Sequence, residues 1–254
     1  MKLSIIIPCY NEEKTIKPLL NTIFNIKFPI AHEIIVIDDG SDINHRELIE
    51  EEIKAKKVKF IRLHQNQGKG VAIRIGLKYA TGDIFVIQDA DLEYFPEDLL
   101  KLLNPILKRK VNVVYGTRFA KKPKKMAKSH YIANRFLTKA TNFLYNVNLS
   151  DMETGYKLFT KKILEKIELN AREFEFEPEI TAKIILNGHK IKELPIVYHP
   201  RRKGSAKINL FDGLEGFLIL LKFRFFENSK IFHIFYKIFK FHFKKIGIKL
   251  IKFV

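Results

Sequence analysis

Short apolar runs alternate with longer amphipathic segments through the first 115 residues of the chain. Runs rich in Val, Ile and Leu predict strands at residues 3–7, 33–37, 58–63, 83–87 and 111–115. Between them, apolar residues recur at spacings of three and four, which predicts helices at residues 12–24, 45–56, 70–80 and 97–108. Strand–helix–strand units of this length require parallel strands joined by right-handed crossovers. We therefore predict an α/β fold: an open, mostly parallel twisted sheet with helices on both faces, which binds ligands at the carboxyl ends of its strands.

The pattern is less regular after residue 115. Residues 116–128 carry five lysines and predict a loop, which a helix at residues 129–145 follows. A polar turn that enters a strand is predicted at residues 151–160, a helix at 177–187 and a last strand at 190–198. No linker-like stretch separates these parts and no internal repeat is present. We expect one catalytic domain at residues 1–221 and a tail at residues 222–254.

The tail carries much of the positive charge of the chain. The whole sequence has 46 Lys and Arg against 28 Asp and Glu, a formal charge of +18. Residues 222–254 contribute nine of the basic residues and a single acid, Glu227. Within the tail, polar positions spaced by three and four face a broad set of Ile and Phe positions. This pattern predicts an amphipathic helix that lies in a membrane interface; the alternative is a helix that packs on the core with its lysines in solvent.

The composition excludes several classes of protein. Apolar residues make up 46% of the chain and charged residues 29%, which is typical of a folded domain and not of a disordered one. The single cysteine, Cys9, excludes an intrachain disulfide framework and a cysteine-built zinc site. No run of 18 uncharged apolar residues occurs, so we expect membrane contact to be peripheral. The charge predicts an anionic partner, and we expect lipid or a phosphorylated substrate, since no nucleic-acid-binding module surrounds the basic residues.

Carboxylates cluster where the predicted fourth strand ends. Asp89 and Asp91 project to the same side of an extended chain, and Glu93 adds a third oxygen donor. Oxygen ligands without His or Cys suit Mg²⁺ or Mn²⁺ shared with a substrate diphosphate, and do not suit zinc. The alternative for an isolated pair of this kind is an ordinary turn.

A second acidic pair, Asp38 and Asp39, ends the predicted second strand. One of the two could accept hydrogen bonds from a nucleotide base or ribose, or the pair could form a turn that caps the next helix. Residues 8–12 end the first strand, so three strand termini are expected to converge on one crevice. Ile73 stands where the dinucleotide-binding pattern requires its third glycine, so that motif is not present. No phosphate-binding P-loop sequence occurs either.

Four segments in this order resemble family 2 glycosyltransferases: residues 4–12 (SIIIPCYNE), 36–41 (VIDDGS), 66–70 (NQGKG) and 89–92 (DADL). Four later segments resemble one branch, the synthases of polyprenyl-phosphate sugars such as dolichol-phosphate mannose and dolichol-phosphate glucose: residues 115–119 (YGTRF), 151–157 (DMETGYK), 176–180 (FEPEI) and 201–207 (RRKGSAK). The resemblance covers residues 3–215. The Gln-x-x-Arg-Trp motif of processive enzymes is absent, which disfavours a polymerising role.

The resemblance implies a fold of the GT-A type and a role for each matching residue. It places Pro8, Tyr10, Glu12, Ile37, Asp39 and Lys69 at the donor nucleotide sugar, and Asp89, Ala90 and Asp91 at the metal, ribose and diphosphate. Glu93 occupies a third metal-ligand position, which varies in the family. Arg118 corresponds to an arginine of the substrate site, and Arg201 and Lys207 to basic residues that meet the diphosphate on a closing loop. Asp151 and Glu153 match the acidic segment that supplies the base in many relatives.

The implied reaction is the inverting transfer of a hexose from GDP-mannose, UDP-glucose or another sugar nucleotide to a dolichyl or undecaprenyl phosphate, with Mg²⁺ or Mn²⁺ as cofactor. The implied site of action is the cytoplasmic face of the membrane. Related synthases often use transmembrane segments or a membrane partner subunit, whereas this sequence suggests peripheral attachment by its tail. One alternative is a family 2 transferase that acts on a glycan or another soluble acceptor in polysaccharide or cell-envelope synthesis. A second alternative is a retained fold that only binds nucleotide sugar.

Overall fold

The computed structural model of the chain describes residues 1–120, 126–200 and 210–226. Its centre is a seven-stranded sheet with the strand order β3-β2-β1-β4-β6-β5-β7. The strands are β1 (Lys2–Cys9), β2 (Ala31–Asp38), β3 (Lys59–Arg62), β4 (Ile84–Ile87), β5 (Val113–Thr117), β6 (Lys157–Thr160) and β7 (Lys192–Pro195). The helices are α1 (Ile16–Phe24), α2 (His45–Leu48), α3 (Glu50–Lys54), α4 (Lys69–Tyr79), α5 (Asp98–Leu107), α6 (Lys128–Tyr145), α7 (Lys161–Leu164), α8 (Phe176–Leu186) and α9 (Leu210–Phe225).

The sheet is mixed and mostly parallel, which confirms the predicted fold class. Strand β1 pairs in parallel with β2 and β4, and β2 pairs in parallel with β3. Strand β6 is antiparallel to both of its neighbours, β4 and β5, while β5 and β7 are parallel. All six strand predictions overlap an observed strand, and the predicted polar turn at residues 151–160 leads into β6.

Helices cover both faces of the sheet because side chains alternate along each strand. Ile5 and Ile7 of β1 pack in one buried cluster with apolar residues of α1 and α5. Ile6 points to the opposite face and packs in a second cluster with residues of α4 and α8. A third cluster joins α6, α8 and α9 beside the sheet. These layers hold the sheet rigid beneath its carboxyl edge.

Two helices differ from their predicted bounds. The helix predicted at residues 45–56 is divided into α2 and α3 at Ile49, whose φ of −127° and ψ of 27° are not helical. Ile49 is fully buried, and the backbone leaves the helical conformation where its side chain packs into the core. The helix predicted at residues 12–24 begins only at Ile16, because residues 12–15 form a turn in which the Thr15 N–H donates to the Glu12 carbonyl.

The carboxyl-terminal part of the chain was only partly anticipated. Helix α9 was not predicted, and it crosses the expected domain boundary at residues 221 and 222. The amphipathic helix expected in the tail lies outside the described residues. Of the helices in residues 1–120, 126–200 and 210–226, none is long and apolar enough to span a bilayer.

Helix α4 approaches the sheet closely at Gly76. A Cβ atom at this position would lie 2.5 Å from the Ile6 Cγ2 atom and 2.7 Å from the Ile37 Cδ1 atom. Both side chains are fully buried and cannot move into solvent. The absence of a side chain at Gly76 therefore sets the distance between α4 and the two central strands.

We expect Gly76→Ala to lower the free energy of unfolding by about 1–3 kcal/mol, as other overpacking substitutions do. Urea unfolding of both proteins measures the difference. Gly216→Ala in α9 is the matched control, since its Cβ would meet its nearest neighbour at 3.4 Å, an ordinary contact. Equal stability of the Gly76→Ala variant and the wild type would contradict this account of the packing.

Candidate active site

The carboxyl ends of β1 and β2 are fastened to one another by hydrogen bonds. The Asp39 N–H donates to the Cys9 carbonyl at 2.8 Å, and the Asn11 N–H donates to the Ser41 Oγ atom at 3.0 Å. The Glu12 N–H donates to the Nε2 atom of His45 at 3.1 Å. Residues 8–12 and the acidic pair that ends β2 therefore lie together at the carboxyl edge of the sheet.

The two aspartates that end β2 have different surroundings. Asp38 is fully buried, with its Oδ2 atom 3.4 Å from the Nδ1 atom of His45 and 3.5 Å from Arg62. Burial alone would raise its pKa, but the hydrogen bonds from His45 and Ser41 lower it below the usual value. Asp38 is thus a structural anion that holds α2 against β2.

Asp39 faces the loop that leads into α4. Its two carboxylate oxygens accept hydrogen bonds from the backbone N–H groups of Gln67 and Gly68, each at 2.8 Å. Burial raises its pKa above the usual value, against the effect of these two hydrogen bonds. Gly68 has a φ of 103°, which favours glycine, and a Cβ there would lie 2.3 Å from the Arg172 carbonyl oxygen. Asp39 thereby fixes the start of α4, the helix that carries Lys69.

Lys69 joins two carboxylates from distant parts of the chain. Its Nζ atom lies 2.9 Å from the Oδ1 atom of Asp89, which follows β4, and 2.9 Å from the Oε1 atom of Glu177 on α8. Burial would lower the pKa of Lys69, but the charges of Asp89 and Glu177 raise it well above the usual value. The site therefore keeps a cation beside Asp89.

The second oxygen of Asp89 faces a backbone without a side chain. A Cβ atom on Gly155 would lie only 2.2 Å from the Asp89 Oδ2 atom. The Gly155 N–H donates to the hydroxyl of Tyr94 at 3.1 Å, which holds this backbone in place. A larger residue at position 155 would collide with this oxygen, so glycine allows the Asp89 carboxylate to pack directly against the backbone.

Asp91 and Glu93 lie on the turn that follows Asp89. The Oδ1 atom of Asp91 accepts from the Glu93 N–H at 3.0 Å, and Leu92 between them has a φ of 61°. Within the described ranges, no three His, Cys, Asp or Glu side chains are arranged to hold a metal ion. The donor set nevertheless fits Mg²⁺ or Mn²⁺, because it consists of carboxylate oxygens and the Asp89 side chain is partly exposed.

Arg118, which follows β5, forms a buried ion pair with Asp151. Its Nε and Nη2 atoms donate to the two Asp151 oxygens at 2.7 Å each, and its backbone N–H donates to the same carboxylate at 2.9 Å. Asp151 is fully buried. Burial would lower the pKa of Arg118, whereas the Asp151 charge raises it well above the usual value. Arg118 also donates to the Asn134 Oδ1 atom of α6 at 2.8 Å.

Aromatic rings connect Arg118 with the end of β4. The Arg118 guanidinium lies 5.5 Å from the ring centroids of Phe119 and Tyr198. Tyr198 is 5.9 Å from Tyr94, which stacks on Tyr156 at 4.8 Å. Since Tyr94 also contacts Gly155 beside Asp89, the acidic cluster and Arg118 belong to one continuous site.

Glu153 and Lys157 are both buried, and the charge of each shifts the pKa of the other. The Glu153 Oε1 atom is buried without a hydrogen-bond partner, and burial with the nearby Glu177 charge raises its pKa to about 8. Burial lowers the pKa of Lys157 to about 8 against the pull of Glu177 and Glu153. The Lys157 Nζ atom donates to the carbonyls of Met152 and Thr154 and lies 4.6 Å from the Tyr115 ring centroid.

The sequence interpretation named most of these residues but missed three roles. It did not assign Glu177, Lys157 or Tyr94, although Lys157 stands in an apolar strand, where a buried charge signals a special environment. The remaining residues predicted for the donor site lie at or next to the ends of β1, β2 and β4: Pro8, Ile37 and Ala90 are buried and Tyr10 is half-buried. Arg201 and Lys207 lie outside the described residues.

Comparison with known proteins identifies the family of this chain. The model of Glycosyl transferase family 2 matches residues 4–168. A dolichol-phosphate mannosyltransferase of Pyrococcus furiosus is 30% identical over 233 residues, which is 87% of this chain and 64% of that protein. A UDP-N-acetylglucosamine–dolichyl-phosphate N-acetylglucosaminyltransferase of Methanococcus voltae is 34% identical over 76% of this chain and 83% of its own. A dodecaprenyl-phosphate galacturonate synthase of Rhizobium johnstonii is 25% identical over 91% of this chain and 68% of its own. The chain thus spans about two thirds of the length of the first and third of these relatives.

Solved structures agree with the fold. Glucosyl-3-phosphoglycerate synthase of Mycobacterium tuberculosis superposes with a TM-score of 0.70 at 20% identity, over 90% of this chain and 82% of that one. The same enzyme has been crystallised with Mg²⁺ and UDP, and with Mn²⁺ and UDP-glucose. Since the family model covers more than half of the residues and a relative at 30% identity covers most of them, this chain belongs to glycosyltransferase family 2.

Proposed function

We propose that this chain transfers a hexose from a nucleotide sugar to a polyprenyl phosphate, with inversion at the anomeric carbon and with Mg²⁺ or Mn²⁺ as cofactor. Three relatives found by sequence carry names that specify a dolichyl or dodecaprenyl phosphate, which supports the acceptor class. The observation that carries the proposal is Arg118, a permanently charged guanidinium that Asp151 holds rigid beside the acidic end of β4.

The donor occupies the crevice between β1, β2 and β4 in this proposal. Residues 8–12 and Ile37 line the nucleotide pocket, and Asp39 orders the loop before Lys69 while offering its remaining lone pairs to the nucleotide. Asp89, Asp91 and Glu93 would hold the divalent cation, which supplies positive charge to the leaving diphosphate when it is bound. Lys69 places a second cation next to Asp89, so its ammonium can meet the same phosphates.

A lipid phosphate needs positioning more than activation. The second pKa of a phosphate monoester is about 6, so most of the acceptor is dianionic at pH 7 and no strong general base is required. Since its Nε and Nη2 atoms donate to Asp151 and Asn134, Arg118 would hold the acceptor phosphate through its Nη1 atom. A free phosphate oxygen would then attack the anomeric carbon in line with the departing diphosphate. Asp151 acts in this scheme as the anchor that orients Arg118, since both of its oxygens accept from that side chain. Arg201 and Lys207 are proposed to meet the leaving diphosphate.

Transfer to a hydroxyl of a soluble acceptor is a second candidate, and one observation favours it. Glu153 has a buried oxygen without a partner and a pKa raised to about 8, as a general base requires. A hydroxyl acceptor needs such a base, whereas a phosphate does not. The two candidates therefore differ in the role of Glu153, which would act as the general base only for a hydroxyl acceptor.

We expect Asp91→Asn to reduce the rate of sugar transfer about 100-fold or more at saturating Mn²⁺, because one charged ligand of the proposed metal site is lost. Radiolabelled transfer assays and a circular dichroism spectrum measure activity and folding. Asp83→Asn is the matched control, since Asp83 stands at the opposite end of β4 and is 59% exposed. Wild-type turnover of the Asp91→Asn variant would refute the metal-site assignment.

Arg118→Lys should raise the KM for the lipid phosphate about 10- to 100-fold, because an ammonium group cannot bind Asp151 and the phosphate in the planar geometry of a guanidinium. The Kd for the nucleotide diphosphate should stay within about twofold. Initial-rate kinetics and calorimetry measure the two constants. Arg74→Lys, which changes an arginine bonded to the Asn170 carbonyl, serves as control. A change confined to donor affinity would exclude Arg118 from the acceptor site.

The pH profile distinguishes the two acceptor classes. For a phosphate acceptor, the rate should rise through pH about 6 as the acceptor ionises and then level off, and Glu153→Gln should keep this profile. For a hydroxyl acceptor, the rate should rise through pH about 8 as Glu153 loses its proton, and Glu153→Gln should abolish transfer. We expect the first outcome; the second would assign the chain to soluble acceptors.

A further inference from the structure

Three charged side chains meet where the end of β4, the start of α4 and the start of α8 come together. The Lys69 Nζ atom lies 2.9 Å from the Asp89 Oδ1 atom and 2.9 Å from the Glu177 Oε1 atom. Two carboxylates that share one ammonium group at this distance would repel each other if the ammonium were absent. Lys69 is therefore the counter-ion of both acids, although only Asp89 belongs to the proposed metal site.

The Asp89 carboxylate is engaged on both of its oxygens. Its Oδ2 atom packs against the backbone of Gly155, where a Cβ atom would lie only 2.2 Å away. Its Oδ1 atom forms the ion pair with Lys69. A second cation at Oδ1 would be repelled by the ammonium group, because like charges this close interact strongly in a partly buried site. A divalent cation can therefore use Oδ1 only after Lys69 has withdrawn.

Of these three side chains, Lys69 is the one that can move. Asp89 is held against the backbone of Gly155, and Glu177 is buried in the first turn of α8, with its side chain 6% exposed. Lysine carries its charge on a flexible stem of four carbons, with donors that can turn toward a new acceptor. The ammonium group can thus leave one carboxylate and keep the other.

The backbone that carries Lys69 is fixed on both sides. The Gly68 N–H donates to the Asp39 Oδ2 atom at 2.8 Å, and the Val71 N–H donates to the Arg172 carbonyl at 3.1 Å. These bonds tie the start of α4 to the end of β2 and to the loop before α8. Movement of the ammonium group is therefore confined to the side chain, which stays within reach of the acidic cluster.

We propose that Lys69 is an exchangeable counter-ion, which neutralises Asp89 before the donor binds and withdraws from it, while keeping Glu177, when a divalent cation binds together with a diphosphate. The diphosphate supplies new negative charge for the displaced ammonium group, whereas a divalent cation alone supplies none. Glu177 is in this scheme a positioning residue, since it retains Lys69 beside the site. The inference rests on the proposed function for the metal site at Asp89.

Binding of Mn²⁺ to the full-length protein tests this exchange without any turnover, and the electron paramagnetic resonance signal of the free ion measures its Kd. Lys69→Met removes the charge and keeps an unbranched side chain. We expect its Kd for Mn²⁺ alone to be about tenfold or more lower than that of the wild type, because no ammonium group competes for Asp89. Lys183→Met is the matched control, since it removes another buried lysine, which pairs with Glu179 at 2.8 Å. It should bind Mn²⁺ as the wild type does.

Glu177→Gln should have the opposite effect. It leaves Lys69 paired with Asp89 and removes the carboxylate that retains the ammonium group after withdrawal. We expect its Kd for Mn²⁺, measured with saturating UDP and with saturating GDP in parallel, to be about tenfold higher than that of the wild type. Damage to the fold would weaken Mn²⁺ binding in both variants, so opposite signs separate exchange from a structural effect.

A double variant keeps the test valid if Lys69→Met does not fold. Lys69→Met combined with Glu177→Gln removes both charges of the buried pair and leaves no unpaired ion between α4 and α8. Circular dichroism verifies the fold of each variant. The double variant should also bind Mn²⁺ alone about fivefold or more tightly than the wild type, because Asp89 again has no competing cation.

The outcomes separate this inference from the proposed function. Binding of Mn²⁺ alone by the folded Lys69→Met variant, or by the double variant, no tighter than by the wild type would overturn the exchange. So would an unchanged Kd of Glu177→Gln in the presence of the nucleotide. The proposed function would stand in both cases if the wild type binds Mn²⁺ with a nucleoside diphosphate. A wild type that binds no Mn²⁺ with either nucleotide would refute the metal site and the exchange together.

Discussion

The site depends on one electrostatic constraint, the confinement of several carboxylates at the carboxyl edge of the sheet. Like charges this close can stay ionised only if cations or hydrogen-bond donors compensate them. Lys69 compensates Asp89 and Glu177, Arg118 compensates Asp151, and backbone N–H groups compensate Asp39. These contacts join β2, β4, β5, α4 and α8, so the same interactions that stabilise the edge also align the candidate catalytic groups.

This constraint explains why the fold was easier to predict than the site. The strands follow from local patterns: β1 is a run of buried apolar residues, and each of the six predicted strands is present in the sheet. The break at Ile49 and the antiparallel direction of β6 could not be predicted, because both result from tertiary packing. Helix α9 was overlooked because apolar residues occupy both its exposed and its buried positions, which hides the alternation of apolar and polar residues that predicts a helix.

The sequence predicts where the acidic motifs lie along the chain, but it does not predict which side chains they contact. Asp89 was expected to bind a metal, and its contact with Lys69 was not foreseen, since 20 residues separate the two in sequence. Asp151 was expected among the acids that supply a base, and its bidentate ion pair with Arg118 was not foreseen. Ion pairs between distant segments leave no local signal, so the roles of Glu177 and Lys157 also emerged only from the folded chain. The positions of Arg201, Lys207 and the tail remain predictions.

Helix α6 helps to hold Arg118 in place, because Asn134 on this helix accepts a hydrogen bond from the guanidinium. The most direct test of the central claim is to incubate the purified protein with radiolabelled sugar nucleotides and a short-chain polyprenyl phosphate, with and without Mn²⁺, and to measure label in the lipid product. We predict transfer to the lipid phosphate that requires the metal. Transfer to a hydroxyl acceptor alone, or transfer to the lipid that persists after complete removal of divalent metal, would contradict the account.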